Sequence, residues 1–485
     1  MTEPHADRAG RPQVAFAVLA VAVGGYTLLQ SLLTPVLATL QRDLHTTQVA
    51  TTWVITSYLL SASVCTPIVG RIGDLVGKRR MFLVAAGALV LGSLVDALAP
   101  SIAVVIIGRV IQGAGGGLLP LSFGIIRDEF PREKVASAIA LMASLIGVGS
   151  GAGVVLAGPI ADSLGYHWLF WIPLLIVAVA GVAAALVIGE SPVRAPGRFT
   201  PGAAVLLAVW LSALLLTLSE GGQWGWESAP VVVLGVAALV FFAAWVVAER
   251  RAQDPVIDLR MMRLPGVWTA NLVALLAGAD MYAAYAFLPQ FAQARPAAGY
   301  GFGASVTEAG LIMLPASAAT LILGLVNTRL TRLVGAKWVV VGGSLLTAVA
   351  MVMVIAWHAT PAEVAASAAV LGVGIGVAFG SLTTLIVHAV EPHQTGAASG
   401  MNANIRTIGG AIGTTLFAVV LTAGATGGIA SAGGYNRAFA LLALLALGGA
   451  AAGLLVPGSK AAAERRPSAR GAALTDPHPT QGARP

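Results

Sequence analysis

The sequence predicts an all-α integral membrane protein of fourteen transmembrane helices, and three observations predict it. Of its 485 residues, 57% are hydrophobic and only 10% are charged, with a mean hydropathy of +0.86. A soluble domain carries about 25% charged residues, so these few charges cannot cover a water-exposed globule of this size. The apolar residues also fall in long runs, and a spanning helix needs about 20 of them, whereas a membrane barrel would show short alternating segments. Finally, lysine and arginine are segregated. With the N-terminus in the cytoplasm, twenty-three of the 28 fall in cytoplasmic segments, Arg42, Arg295 and Arg437 fall in outer loops, and Arg109 and Arg406 lie inside helices. This asymmetry follows the positive-inside rule and requires an even helix count with both termini inside.

The apolar runs place helices near 14–38, 50–69, 81–99, 101–124, 135–162 and 167–188, a central pair near 202–219 and 230–248, and six more near 268–292, 304–327, 336–357, 362–388, 397–424 and 436–456. The first run is too long for a signal-peptide core and is read as a retained helix. The expected organisation is a cytoplasmic tail (1–13), an N-terminal six-helix bundle (14–188), linkers carrying the central pair (189–266), a C-terminal six-helix bundle (267–456), and a disordered basic tail (457–485). The bundles look like repeats: Gly24 and Pro35 match Gly278 and Pro289 at an offset of 254, and Asp74, Gly77 and Arg79 match Arg332, Gly335 and Lys337 at an offset of 258.

Several function classes are excluded at this level. The net charge of +7 is explained by the cytoplasmic loops, so no nucleic-acid partner is expected. Cys65 is the single cysteine and permits no internal disulfide. No phosphate-cradling loop supports direct drive by ATP, and the seven histidines are scattered without metal-ligand spacing. No cofactor or metal is expected. Arginine outnumbers lysine 24 to 4, which points to GC-rich coding and a bacterial source.

Three motifs carry a family resemblance. The loop after the second helix reads Gly70-Arg71-Ile72-Gly73-Asp74-Leu75-Val76-Gly77-Lys78-Arg79-Arg80. Glycines permit a tight turn there, and Asp74 can cap a helix or pair with a base. The fourth helix carries Arg109-Val110-Ile111-Gln112-Gly113, with Gly113 and Gly117 forming a small-residue packing face. The fifth carries Gly147, Gly149, Gly151 and Gly153, then Gly158-Pro159. The first motif resembles the signature of the major facilitator superfamily, and the second is similar to that superfamily's R-x-x-Q-G. Trp53–Tyr58 and Arg406–Gly413 are similar to its fourteen-helix drug:proton antiporter branch. The resemblance implies two pseudo-symmetric six-helix bundles plus two extra helices, a gating role for Gly70, Asp74, Gly77, Lys78 and Arg79, and a part for Arg109 in proton coupling. The plainer readings are a topological basic loop and a structural arginine bound to helix carbonyls. The branch's glycine-rich stretch ends in a Gly-Pro that aligns with Gly153-Val154, so here the proline has moved to Pro159. Ordinary glycine packing also accounts for the stretch.

Where the branch usually has an aspartate in the first helix, nine residues before a proline, this chain has Tyr26. Asp280 holds the matching place in the ninth helix, 17 residues from Arg263 and 15 from Arg295, near the bilayer midplane. Asp96, Asp162, Glu308 and Glu363 are expected near helix ends. A carboxylate in a water-poor cavity is a suitable proton carrier. Recognition of a cationic substrate, or hydrogen bonding to Asn271, Tyr282 or backbone, are the other readings of Asp280. Gln30, Ser31, Tyr26, Tyr58, Tyr282, Tyr285, Phe291 and Arg406 are candidate cavity residues.

The expected function is secondary active export of small apolar or amphiphilic molecules in exchange for protons, by a monomer in the cell membrane. Proton-coupled uptake by the same fold, or a dedicated metabolite carrier, is the first alternative. A membrane-embedded enzyme or lipid-handling protein is the second, and would need a clustered nucleophile, metal site or acid pair at membrane depth.

Overall fold

A computed structural model of the chain describes residues 11–191, 200–253, 255, 257, 259–296, 299–390, 395–423 and 431–457. Almost all of both expected tails lies outside these residues. The described chain is helical, and its long helices are α1 (Arg11–Leu32), α2 (Gln48–Val76), α3 (Lys78–Ala97), α4 (Ile102–Glu129), α5 (Arg132–Leu164), α6 (Trp168–Val187), α7 (Pro201–Trp224), α8 (Ala229–Arg251), α9 (Pro265–Gln293), α10 (Val306–Val334), α11 (Ala336–Ala356), α12 (Pro361–Ala389), α13 (Thr395–Thr422) and α14 (Ala432–Leu454). Thirteen are long and apolar enough to cross a membrane, and α5 adds the apolar stretch Gly151–Leu164. The fourteen match the fourteen apolar runs.

Local chemistry explains the boundaries. Capping boxes start α10 and α12: Ser305 Oγ accepts from the Glu308 amide at 3.2 Å while Glu308 accepts from the Ser305 amide at 2.7 Å, and Thr360 and Glu363 repeat the exchange. Proline occupies the first turn of α7, α8, α9 and α12, where the missing amide costs nothing. The two repeat prolines behave differently. Pro289 sits inside α9, which runs on to Gln293. Pro35 interrupts the expected first helix: α1 stops at Leu32, a 3-10 turn covers Thr34–Val36, and a short helix resumes at Leu37–Asp43. A proline removes an amide donor and disfavours helical geometry before it, so one position is tolerated and the other breaks. The α4 helix also tightens to 3-10 geometry over Ala114–Gly117, within its glycine run.

The packing is pseudo-symmetric. In the first half α1 packs on α5 and α6, α2 on α4, and α3 on α4 and α6; in the second, α9 packs on α13 and α14, α10 on α12, and α11 on α12 and α14. Each pair has its counterpart six helices on, once the central pair is set aside. The halves meet along two seams, α2 with α13 and α5 with α10, which the same symmetry relates. The central pair does not join either bundle. The α7 helix lies over the α2–α13 seam, while α8 packs chiefly on α7 and turns Val233, Leu239 and Val240 outward.

Candidate functional site

The end of the bundle that carries the 70–80 turn is termed the loop end. There α2 stops at Val76, Gly77 adopts φ +133°, a conformation open to glycine at little cost, and α3 restarts at Lys78. A side chain at residue 77 would also strike the Glu190 carboxylate. Glu190 accepts from the Arg79 amide at 3.2 Å and lies 3.7 Å from Arg80, while the Arg79 guanidinium donates to the Ala185 carbonyl. Lys78 is buried against Asp128 at 2.5 Å. Asp74 is within electrostatic reach of Lys78, Arg127 and Arg71. This motif therefore binds the ends of α4 and α6 within its own half. It also walls a cavity of about 170 Å³ at the loop end, lined among others by Thr66, Gly70, Asp74, Pro120, Met401 and Asn404.

Deeper in the same half, Arg109 is 1% exposed. Its Nε donates to the Val54 carbonyl at 3.0 Å, its Nη1 donates to Gln112 Oε1 at 2.6 Å, and the guanidinium lies 4.5 Å from the Tyr58 ring. Gln112 Nε2 in turn donates to Asp96 Oδ2 at 2.8 Å and Ser93 Oγ at 3.1 Å. Asp96 does lie in the last turn of α3, as expected from its position, but it is fully buried. The carboxylate reaches inward because residue 108 has no side chain to block it. Gly113 and Gly117 face Ser61 and Val69 of α2, which brings α4 close enough for this network.

The α5 glycines serve two faces. Gly149 and Gly153 abut Thr27 and Ser31 of α1, and the Ser31 hydroxyl donates to the Gly149 carbonyl at 3.1 Å. Gly151 and Gly158 abut Ser317 and Thr307 of α10, across the seam between the halves. Pro159 sits inside α5 without ending it. All these contacts lie away from the loop end, where Thr307 also donates to Asp162 at 2.9 Å and Gln293 Nε2 to the Pro35 carbonyl at 3.2 Å. Among the described residues, these contacts join the two halves at the far end.

Between the halves, the Tyr26 and Tyr58 hydroxyls share a hydrogen bond of 2.7 Å. Tyr282 and Ala411 of the second half join them in one packed cluster with Leu211 and Leu215 of α7. Arg109 and Arg406 are both within electrostatic reach of Tyr26, and Arg406 is also within reach of Tyr282. Gln30 Nε2 is buried with no hydrogen-bond partner among the described residues. Three of the other candidates sit elsewhere. Ser31 is occupied by the α1–α5 contact, because its short hydroxyl fits against glycine. Tyr285 lies beside Thr320 of α10. Phe291 is 2% exposed and packs against Tyr300, Tyr435 and Phe439, so it is a core residue rather than a cavity wall. Asp280 is 2% exposed, its Oδ1 has no hydrogen-bond partner, and no charged side chain among the described residues is within its electrostatic reach. Neither Asn271 nor Tyr282 bonds it: Asn271 pairs with Asn402 at 2.9 Å. The acid of α9 and the base of α4 are therefore not partners.

Asp96, Asp128 and Glu190 complete these networks from outside the motifs that the sequence displays. They stand 13, 50 and 113 residues from Arg109, Lys78 and Gly77, and no spacing rule reaches across such separations. An aspartate in an apolar helix was the one available signal for Asp96.

The family model described as Major Facilitator Superfamily matches residues 19–414. Among individual proteins, the chain is 29% identical over 374 residues to Multidrug resistance protein 3 of Bacillus subtilis, covering 76% of this chain and 72% of that one. It is 30% identical over 374 residues to Multidrug resistance protein Stp of Mycobacterium tuberculosis, covering 76% and 68%. Among solved structures, a human organic anion transporter superposes with a TM-score of 0.66 at 19% identity, covering 94% of this chain and 100% of that one; this likeness concerns the fold.

Proposed function

The chain belongs to the major facilitator superfamily, and from that premise we propose that it exports small apolar or amphiphilic compounds, drugs among them, in exchange for protons. The similarity to relatives named for multidrug resistance supports export of such compounds. It sits in a bacterial cell membrane as a monomer, with the loop end and both termini in the cytoplasm, where the basic loops would lie. The two halves rock about a site at mid-membrane. Substrate enters through the loop-end cavity and leaves after the α5–α10 seam parts.

The observation that carries the exchange is Asp280. An intramembrane carboxylate with no basic partner is free to take or release a proton without breaking an ion pair. It lies in α9, which runs beside α13 and its Arg406, so proton occupancy and substrate occupancy can bias one rocking equilibrium. Arg109 is a brace in this scheme: its hydrogen bonds tie α2, α3 and α4 together and hold the Tyr58 ring toward Tyr26.

Asp280→Asn in proteoliposomes tests the proposal. Flux driven by a pH gradient is expected to fall to background, while substrate counterflow without a gradient stays within about threefold of wild type. Undiminished proton-driven flux in the variant would end it. In cells depleted of their own pumps, protection against apolar toxins should vanish on adding an uncoupler.

A further inference from the structure

We infer that the preferred substrate is an aromatic compound carrying a single negative charge, and that Arg406 takes that charge. This rests on the exporter reading and specifies its substrate.

The argument starts from two arginines at membrane depth, one in each half, that the fold treats differently. Arg109 is hydrogen-bonded inside its own half to the Val54 carbonyl and to Gln112, and has Asp96 within electrostatic reach. Arg406 has no hydrogen bond and no carboxylate partner among the described residues. Its guanidinium lies 4.8 Å from the Phe379 ring and within electrostatic reach of the Tyr282 and Tyr26 hydroxyls. It is only partly buried. An aromatic face and phenol dipoles repay only part of what a cation loses on leaving water. Gly278 brings α9 against the Arg406 backbone, yet Asp280, on the same helix, has no charged side chain within reach. The other buried acids are committed elsewhere: Asp96 to Gln112, Glu249 of α8 to the Ile257 amide, and Glu220 to α7 beside Ser219. Among the described residues, Arg406 is thus a deep cation with no carboxylate within reach, and an anionic ligand is the group that balances it.

The surroundings give the rest of the ligand's character. Phe379, Tyr26 and Tyr282 offer partly buried rings, and Gln30 Nε2 offers an unused donor among the described residues, which suits a flat aromatic body with polar substituents. The approach has the matching sign. The loop-end cavity is lined by Arg71, Lys78, Arg127 and Asp74, with Asp128 paired to Lys78 and Arg127 behind them, and its lining includes Asn404 of the same helix as Arg406.

The test uses the full chain in nanodiscs and three isosteric probes: 2-naphthoate, 2-naphthylmethanol and 2-naphthylmethylammonium. The carboxylate is expected to bind at least about tenfold tighter than either counterpart. Arg406→Gln should bring that ratio below about threefold while leaving the alcohol unchanged, and Arg406→Lys should keep the preference, since a charge remains. Tightest binding by the ammonium, a preference that survives Arg406→Gln, or no binding of any probe overturns the inference, and the wild-type ratios count even if a variant fails to fold. Flux separates this from the exporter reading. If a pH gradient drives ethidium while naphthoate fails to bind, this inference falls and the exporter stands. If naphthoate binds through Arg406 but no flux follows the gradient, the reverse holds.

Discussion

The two seams between the halves are related by the internal symmetry, yet they are built from different materials. On the α5–α10 seam, Gly151, Gly158 and Gly310 let backbone approach backbone or a short side chain, and every one of those contacts lies in the half away from the loop end. On the α2–α13 seam, the contact is made by Tyr58, Leu59, Ala62 and Ala411, and α7 covers it from outside. Below it, Pro120 approaches Gly400 above the loop-end cavity. A glycine seam is a close-packed surface that is either fully joined or apart, because small residues have no side chains to follow a moving partner. A seam of larger side chains with a separate helix over it can shift while staying sealed to lipid. In the proposed transport cycle, the sharp opening step would fall to α5–α10 and the adjustable, lipid-tight flank to α2–α13.

Substitutions can break or sharpen that contrast. The largest effect is expected from Gly158→Leu, because a side chain there runs into the Thr307 backbone rather than a movable tip. Transport should fall to background while the protein still folds, and double-cysteine cross-linking across the far ends of α5 and α10 should become slow. Normal flux in this variant would sink the two-seam account. Next comes Asp96→Ala, which leaves Arg109 with a partner that has lost its own anchor. Leaving the buried Gln112 amide without its acceptor costs about 1–3 kcal/mol, and thermal unfolding in detergent should show a comparable loss, with Gln112→Leu behaving alike. Tyr26→Phe removes the hydroxyl that bonds Tyr58. A net cost of about 0.5–1.5 kcal/mol of stability is expected, read as a small fall in the thermal unfolding midpoint in detergent. The smallest effect is expected from Leu211→Ala on α7. If α7 is a cover rather than a moving part, transport should stay within about twofold of wild type while the seam variants lose it. A loss as deep as that of Gly158→Leu would make α7 part of the gate.

The legibility of this protein in its sequence follows from range. The helices were readable because a bilayer demands about 20 apolar residues from each span, and that demand is local. The 70–80 turn and the R-x-x-Q-G run were readable for a similar reason, since glycine spacing and a deep arginine are conspicuous against apolar background. Phe291 and Ser31 show the limit: an aromatic ring or a hydroxyl on an inner helix has the same appearance in sequence whether it faces a cavity, a glycine or a packed core. Asp280 and Asp96 show it again. Their depth could be counted along the helix, but what each one meets depends on which helix lies opposite.

By itself, then, the amino-acid sequence determined that hydrocarbon solvates most of this chain, that it crosses the membrane in fourteen apolar helices, and that two related bundles flank a central pair. Each of these follows from interactions within a few turns of one helix, or from the cost of placing charge in lipid. Only the tertiary structure decided that Arg109 is hydrogen-bonded to Gln112 and Gln112 to Asp96, that Arg406 and Asp280 meet no oppositely charged side chain among the described residues, and that α7 covers one seam while glycines close the other. Those outcomes depend on contacts between residues dozens to hundreds of positions apart, and a hydrogen bond needs its two partners at about 3 Å whatever their separation in the chain.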